Sequence, residues 1–405
     1  MAGFVAAKVA QVPGALQRFV DAGDVSGFVT LTWRDGEIAQ LNTLGFRELE
    51  TKRPMQRDTL FRIASMSKPV TSVATLMLIE EGKCRLDDPI TKWAPELANL
   101  RVLRKPDGPL DGTYAAPRPI TIEDLMTHRS GLAYAFTSVG PIAKAYERAL
   151  GKPLPPDEWL KALGELPLVF APGERFHYSH STDVLGFLVG RIAGNSFRDF
   201  LVSRVFGPLG MHDTDFYVPS DKSDRAATVY RYSADQGSLE AVPFPNPPQP
   251  PTFCGGGGGL IATVDDYLKF AVMLLRGGAL GDVRLLTRRS VELMATNRLT
   301  PAQRAIPFMG MPFWAGQGFG LGLSVITDPE KQAWMGMGSE GAFGWPGAFG
   351  TWWQADPRED LVMIYMIQNS LPLGPDMASQ LATGQRLGVR AALPAFQRLT
   401  YAALA

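Results

Sequence analysis

Strand-like sequence stands at both ends of this 405-residue chain, and helix-like sequence fills the space between. Phe28 to Trp33 alternate apolar and threonine residues, Arg34-Asp35-Gly36 follows, and a second run extends from Ile38 to Phe46. That pattern predicts a hairpin around an Asp-Gly turn. Strand character returns at 321–326, 349–354 and 361–368, before a final helix expected from about Asp376. Backbone groups of a strand need a partner wherever they are buried. The two ends are therefore expected to build one sheet, with the middle as a helical insertion.

Local signals fill in that outline. Val5, Val9, Val12, Leu16 and Phe19 predict an opening helix with Pro13 as a kink, and a short strand is expected at 59–63. Val70, Val73, Ala74, Met77 and Leu78 recur on one helical face, and Gly82 stops them. Thr121 to Asp124 and Thr263 to Asp266 each have the form of a capping box opening a helix. Between positions 243 and 251 six of nine residues are proline, and five glycines occupy 255–259. Such a stretch is neither helix nor central strand, and is expected to carry the chain from one lobe back to the other.

Charge narrows the function classes. Forty basic residues balance 40 acidic ones, so there is no global field for a nucleic-acid backbone or an anionic membrane, and no nucleic-acid or membrane partner is expected. Cys84 and Cys254 lie far apart, outside any metal-ligand spacing, and read as two free thiols. The start of the chain lacks the form of a signal peptide, and no apolar run is long enough to span a bilayer. A cytoplasmic location is expected.

Three short segments carry chemistry. In Ser65-Met66-Ser67-Lys68 the i to i+3 spacing puts the Ser65 hydroxyl and the Lys68 ammonium on one helix face. A serine at a helix start also lies where free N–H groups converge, which suits an oxyanion. Ser67 could serve as a cap, and only Ser65 has a lysine three residues on. Tyr178, in Tyr178-Ser179-His180, offers a phenol that can act as base if a cation such as Lys68 stabilises its anion. Which of the two takes the proton is a coupled question. In Trp345-Pro346-Gly347-Ala348 the glycine permits close backbone approach, and the Ala348 N–H would join that of Ser65 as an oxyanion donor.

In order and approximate spacing these segments resemble the three active-site motifs of the serine β-lactamase and penicillin-binding-protein superfamily, in the form of family VIII carboxylesterases. The resemblance implies a β-lactamase/transpeptidase-like α/β (α+β) fold, an antiparallel sheet flanked by helices plus a helical domain. Residues 1–85 and 256–405 would form the sheet domain and 86–255 the helical one, with the active site at their junction. It implies an acyl-enzyme on Ser65, with Lys68 and Tyr178 as base, and no cofactor.

Departures from the class C β-lactamase pattern then matter. Trp345 stands where a lysine would meet an anionic substrate, so a neutral, small-molecule ester with a short acyl chain is expected, in an aromatic-rimmed pocket. His180 replaces an amide that would orient the acyl group, and Tyr134 is expected to line the cleft. Acyl transfer to an alcohol, weak β-lactamase activity and a non-catalytic binding module are the alternatives. The glycine run lacks a following Gly-Lys-Ser/Thr, which disfavours a phosphate loop, and His177 with His180 lacks the carboxylates of a metal site. No Gly-x-Ser-x-Gly elbow is present, and His128 is expected to fix a helix end.

Overall fold

The computed structural model describes residues 3–405 except 234, 245, 247, 333–336, 371–372 and 375–387. Its main sheet has eight antiparallel strands drawn from both ends of the chain: β1 (Gly27–Arg34), β2 (Glu37–Glu48), β3 (Arg53–Pro54), β4 (Gln317–Phe319), β5 (Ser324–Ile326), β6 (Phe343–Gly344), β7 (Trp352–Asp356) and β8 (Leu361–Met366). Their order across the sheet is β4-β5-β6-β7-β8-β1-β2-β3. The seam between the two ends is β1 against β8, with Val29 opposite Met366 and Arg34 opposite Leu361. Asp35 and Gly36 both take positive φ, 49° and 91°, as the predicted two-residue hairpin turn requires.

Both faces of the sheet are covered, and this explains why β8 reads as an unbroken apolar run, Leu-Val-Met-Ile-Tyr-Met, buried at all six positions. Leu361, Met363 and Tyr365 pack with Val12 and Leu16 of α1 (Gln11–Asp21) and with Ala392 and Phe396 of the last helix. Val362, Ile364 and Met366 face the larger core, which holds α2 (Ser67–Glu80), α3 (Ser181–Ala193) and α4 (Val264–Leu275).

Several local expectations shift. The opening helix is two, Ala6–Val9 and Gln11–Asp21; Pro13 sits in the first turn of the second, where its missing N–H costs nothing. The 59–63 segment contributes only Phe61–Arg62, which pairs with Ile261–Ala262 rather than with the main sheet. The predicted strands shorten or slide to β5, β7 and β8. The final helix is described over Gly388–Ala402, and its expected start at Asp376 lies outside the described residues, as does Trp334. Thr121 and Asp124 form the full capping box. Asp266 instead turns its carboxylate to the Asp213 N–H (2.7 Å) and the Thr214 hydroxyl (3.0 Å), so only the Thr263 half of that cap forms.

The largest difference is α2. An amphipathic stripe is predicted, yet every residue from Ser67 to Leu78 is buried, the polar Thr71, Ser72 and Thr75 included. Thr71 donates to the backbone carbonyls of Gly256 (2.8 Å) and Ser67, and Thr75 to that of Thr71. The two threonine hydroxyls are satisfied on backbone, while Ser72 Oγ is buried without a hydrogen-bond partner, so a helix of mixed composition runs through the interior with one polar group left unpaired. No helix among the described residues is long and apolar enough to cross a membrane.

Candidate active site

Ser65 lies in a tight turn, Ala64–Met66, that leads into α2. Ala64 before it is held at φ 45°, a strained value for a residue with a side chain. Neighbours clamp the turn: the Ile63 N–H donates to the Leu260 carbonyl (3.0 Å), the Ile63 carbonyl accepts from Thr351 Oγ1 (3.2 Å), and Tyr267 donates to the Met66 carbonyl (2.9 Å). The neighbouring Ser67 is committed elsewhere, buried with its Oγ accepting the Leu260 N–H at 3.1 Å. Ser65, by contrast, lines a cavity of about 470 Å³.

Lys68, one turn on, is fully buried. Its ammonium donates to the Gly257 carbonyl (2.6 Å), to Ser65 Oγ (3.2 Å) and to Tyr134 Oη (3.4 Å). It also sits over the Tyr178 ring, 4.5 Å from the centroid. A buried cation must be paired or solvated by dipoles, and here carbonyl, hydroxyl and ring faces share that work. Tyr178 is buried just ahead of α3, and its Oη accepts from Trp345 Nε1 at 3.1 Å.

Asp183 is the functional candidate that sequence reasoning missed. It lies in the first turn of α3, with Oδ1 accepting the Gly257 N–H (2.8 Å), and Oδ2 meeting His180 Nδ1 (2.8 Å) and Tyr134 Oη (3.4 Å). Burial works to raise its carboxyl, but His180, Lys68 and the Gly257 N–H together hold it below the ordinary carboxylate value. Tyr134 goes the other way: burial, then the Asp183 charge, pushes its phenol well above the usual range. The one available signal was spacing, since Asp183 falls three residues after His180 on a helix start, where acidic side chains are common for capping alone.

Trp345, Pro346, Gly347 and Ala348 occupy the β6–β7 connection and line the same cavity as Ser65, Tyr134 and Tyr178. Gly347 also meets a packing need. A Cβ there would stand 2.4 Å from the Ile63 carbonyl oxygen and 2.1 Å from Thr351 Oγ1, so the glycine lets this connection press onto the strand that precedes Ser65. Trp345 is buried rather than lying open as a flat wall, within a cluster of Phe176, Tyr178, Phe313, Trp314 and Phe319. Among the described lining residues Asp183 is the only charged one, and no lysine, arginine or histidine is present. His180 is thus absent from the described lining; its ring stands edge-on to Tyr134 at 4.3 Å, one layer behind the wall.

His128 and His177 also lie outside the described lining of the cavity. His128 is fully buried with φ 51°, accepts the Ser179 N–H at Nδ1 (3.3 Å), and lies 4.6 Å from the Tyr178 ring. Burial, with Lys68 and His177 adding to it, pushes its pKa well below the usual value. His177 is lowered to about 4, mainly by burial. No group of ligating side chains suited to a metal occurs among the described residues. Cys84 and Cys254 are free, and burial raises them to about 11 and about 12.

Comparison with known proteins fits this arrangement. The Beta-lactamase family model matches residues 12–383. The chain belongs to the Beta-lactamase family. Within its reach, Protein Rv1367c of Mycobacterium tuberculosis is 50% identical over 396 residues, covering 96% of this chain and 98% of that protein. Lovastatin esterase of Penicillium rubens is 30% identical over 396 residues, covering 90% and 94%. Among solved structures, EstCE1, described as a hydrolase with promiscuous acyltransferase activity, superposes with a TM-score of 0.77 at 26% identity over 96% of this chain and 98% of that one. The β-lactamase/transpeptidase-like fold, an antiparallel sheet with flanking helices, is therefore that of the Beta-lactamase family, a family of serine hydrolases whose members similar to this chain include esterases and acyltransferases.

Proposed function

We propose that this protein is a carboxylesterase of the family VIII type, cleaving neutral carboxylic esters with short acyl chains. Ser65 Oγ attacks the ester carbonyl, and its proton passes to Tyr178 with Lys68 as the stabilising cation. The N–H groups of Ser65 and Ala348 hold the oxyanion. The alcohol leaves with the proton, and water activated by the same base releases the acid. Trp345, Gly347 and Tyr134 form the substrate wall, with His180 behind it, at the meeting of a sheet domain (1–85 and 256–405) with a helical one (86–255).

The observation that carries the reading is the Ser65 Oγ to Lys68 Nζ contact, 3.2 Å, opening onto a cavity whose described lining offers no cation. A volume of about 470 Å³ exceeds what a short acyl chain needs and leaves room for a sizeable alcohol. The test is hydrolysis of p-nitrophenyl butyrate and labelling with a fluorophosphonate. Wild type should be active and labelled on Ser65, while Ser65→Ala should be folded, inactive and unlabelled. A folded Ser65→Ala with wild-type turnover overturns the reading.

Acyl transfer to an alcohol is a second outcome of the same acyl-enzyme, supported by the acyltransferase activity named for EstCE1. Adding a competing alcohol separates the two: a hydrolase leaves free acid, a transferase a new ester.

A further inference from the structure

Lys68 and Asp183 do not touch, yet two chains of hydrogen bonds join them. In one, the Lys68 ammonium donates to the Gly257 carbonyl (2.6 Å) while the N–H of the same residue donates to Asp183 Oδ1 (2.8 Å). In the other, Lys68 donates to Tyr134 Oη (3.4 Å), which donates to Asp183 Oδ2 (3.4 Å). Both run donor to acceptor from the cation to the anion: the Tyr134 hydroxyl relays polarisation through its own oxygen, while Gly257 links the two charges by holding its two backbone dipoles in fixed position. The arms close only because position 257 is glycine: a Cβ there would stand 2.7 Å from Tyr134 Oη and 2.8 Å from Asp183 Oδ1. His180 Nδ1 then holds the far end of the path at 2.8 Å from Asp183 Oδ2. Trp159 and Tyr146 flank the imidazole on its other sides.

We propose that Asp183 is a positioning residue for the hydrolysis, holding Lys68 in place and charged through Gly257 and Tyr134, and that His180 sets how strongly the Asp183 charge acts on it. The inference rests on the hydrolase reading above. A nearby anion raises the pKa of any base it faces, whether that base is Lys68 itself or a Tyr178 whose anion Lys68 stabilises. The sign is therefore the same for either route of the proton. Removing the Asp183 charge lowers the pKa of the base, and removing the His180 N–H leaves that charge less balanced and raises it.

The groups facing this path are few. From α2 comes Lys68; from the segments before α3 come Tyr134, Tyr146 and Tyr178; from below comes His128. Burial keeps the Tyr134 and Tyr146 phenols neutral and His128 uncharged, so none of these three titrates with the acid limb of the rate profile.

The experiment is the pH dependence of kcat/KM for p-nitrophenyl butyrate in wild type, Asp183→Asn, His180→Phe and the double variant. Asp183→Asn keeps the shape and an acceptor for the Gly257 N–H; His180→Phe keeps a ring against Tyr134. Asp183→Asn should lower kcat about tenfold with KM nearly unchanged, and move the acid limb down by about half a pH unit or more. His180→Phe should move that limb up, and the double variant should follow Asp183→Asn alone, since His180 acts only through the carboxylate. A merely structural pair would lower activity with the limb unmoved. Wild-type limbs in both folded single variants, or additive shifts in the double, overturn the inference. If wild type itself neither hydrolyses the ester nor takes the fluorophosphonate, the hydrolase reading fails instead. Should Asp183→Asn not fold, the upward shift in His180→Phe alone decides.

Discussion

The cavity has two unlike walls. On one side Ser65, Lys68, Tyr134 and Asp183 are tied, in part through Gly257, by hydrogen bonds of 2.6 to 3.4 Å, and the Tyr178 ring joins them beneath the Lys68 ammonium. On the other, Phe308, Phe313 and Trp345 meet ring on ring, backed by Phe176 against Phe308, with centroids 5.2 to 6.4 Å apart, mostly edge to face. The first wall depends on direction, because each hydrogen bond fixes the next. The second depends on area and tolerates small displacements, because apolar contact is non-directional. On the proposed reading, chemistry falls to the wall held by directed bonds and selection to the apolar one. A polar bond joins the two walls, from Trp345 Nε1 to Tyr178 Oη.

Breaking the polar wall should cost most. Lys68→Met keeps the buried stem and removes the ammonium, and kcat/KM for p-nitrophenyl butyrate should fall about 10³-fold or more. Thermal stability should fall as well, since buried Asp183 and the Gly257 carbonyl lose the cation that balances them. A loss no larger than that of an aromatic substitution would erase the distinction between the walls. Cutting only the bond that joins them is a milder test. Trp345→Phe keeps an aromatic plane but takes a donor from the Tyr178 oxygen, so the phenolate becomes harder to form. The acid limb of the rate profile should rise, and kcat should fall about tenfold with KM little changed. A change in KM alone would mean that Trp345 serves the substrate and not Tyr178. On the aromatic wall itself, Phe308→Ala should raise KM with kcat within about twofold, lowering kcat/KM about tenfold or less.

The same contrast governs how much the sequence disclosed. The polar wall is built on helix starts, where spacing is read directly: Ser65 and Lys68 at i and i+3, Tyr178 just before an apolar helix. The sheet seam was equally legible as strand from the β-branched and apolar residues of β1 and the unbroken apolar run of β8, although the threonines of β1 are buried as fully as its apolar residues. What was hidden depends on chain segments meeting from far apart. Asp183 matters only because Gly257, 74 residues on, offers it an N–H, and the five-glycine run looked like a linker until a side chain at 257 was seen to collide with that pairing. The burial of α2 was masked for a similar reason, since Thr71 and Thr75 look like a solvent face until the backbone carbonyls that they bond are known. Trp345 was recognised as an aromatic where relatives carry lysine, but its bond to Tyr178 joins positions 167 residues apart.

The smallest expected effect concerns the support beneath the polar wall. His128 is buried and neutral, its ring 4.6 Å from that of Tyr178, and burial together with Lys68 and His177 lowers its pKa well below the usual value. The unfolded chain therefore takes up a proton near pH 6.5 that the folded protein refuses. Stability is unaffected above that pH and declines as pH falls below it, by about 1.4 kcal/mol per pH unit for each such histidine. His177, lowered to about 4, adds a second proton over the range between about 6.5 and 4. Urea midpoints at pH 7.5, 6.5, 5.5 and 4.5 should thus show a plateau and then a fall with the slope of two protons. His128→Gln can still offer an oxygen to the Ser179 N–H, and should start less stable at pH 7.5 but lose only one proton's worth of slope. If the variant keeps the full wild-type slope, His128 is not the group that refuses the proton.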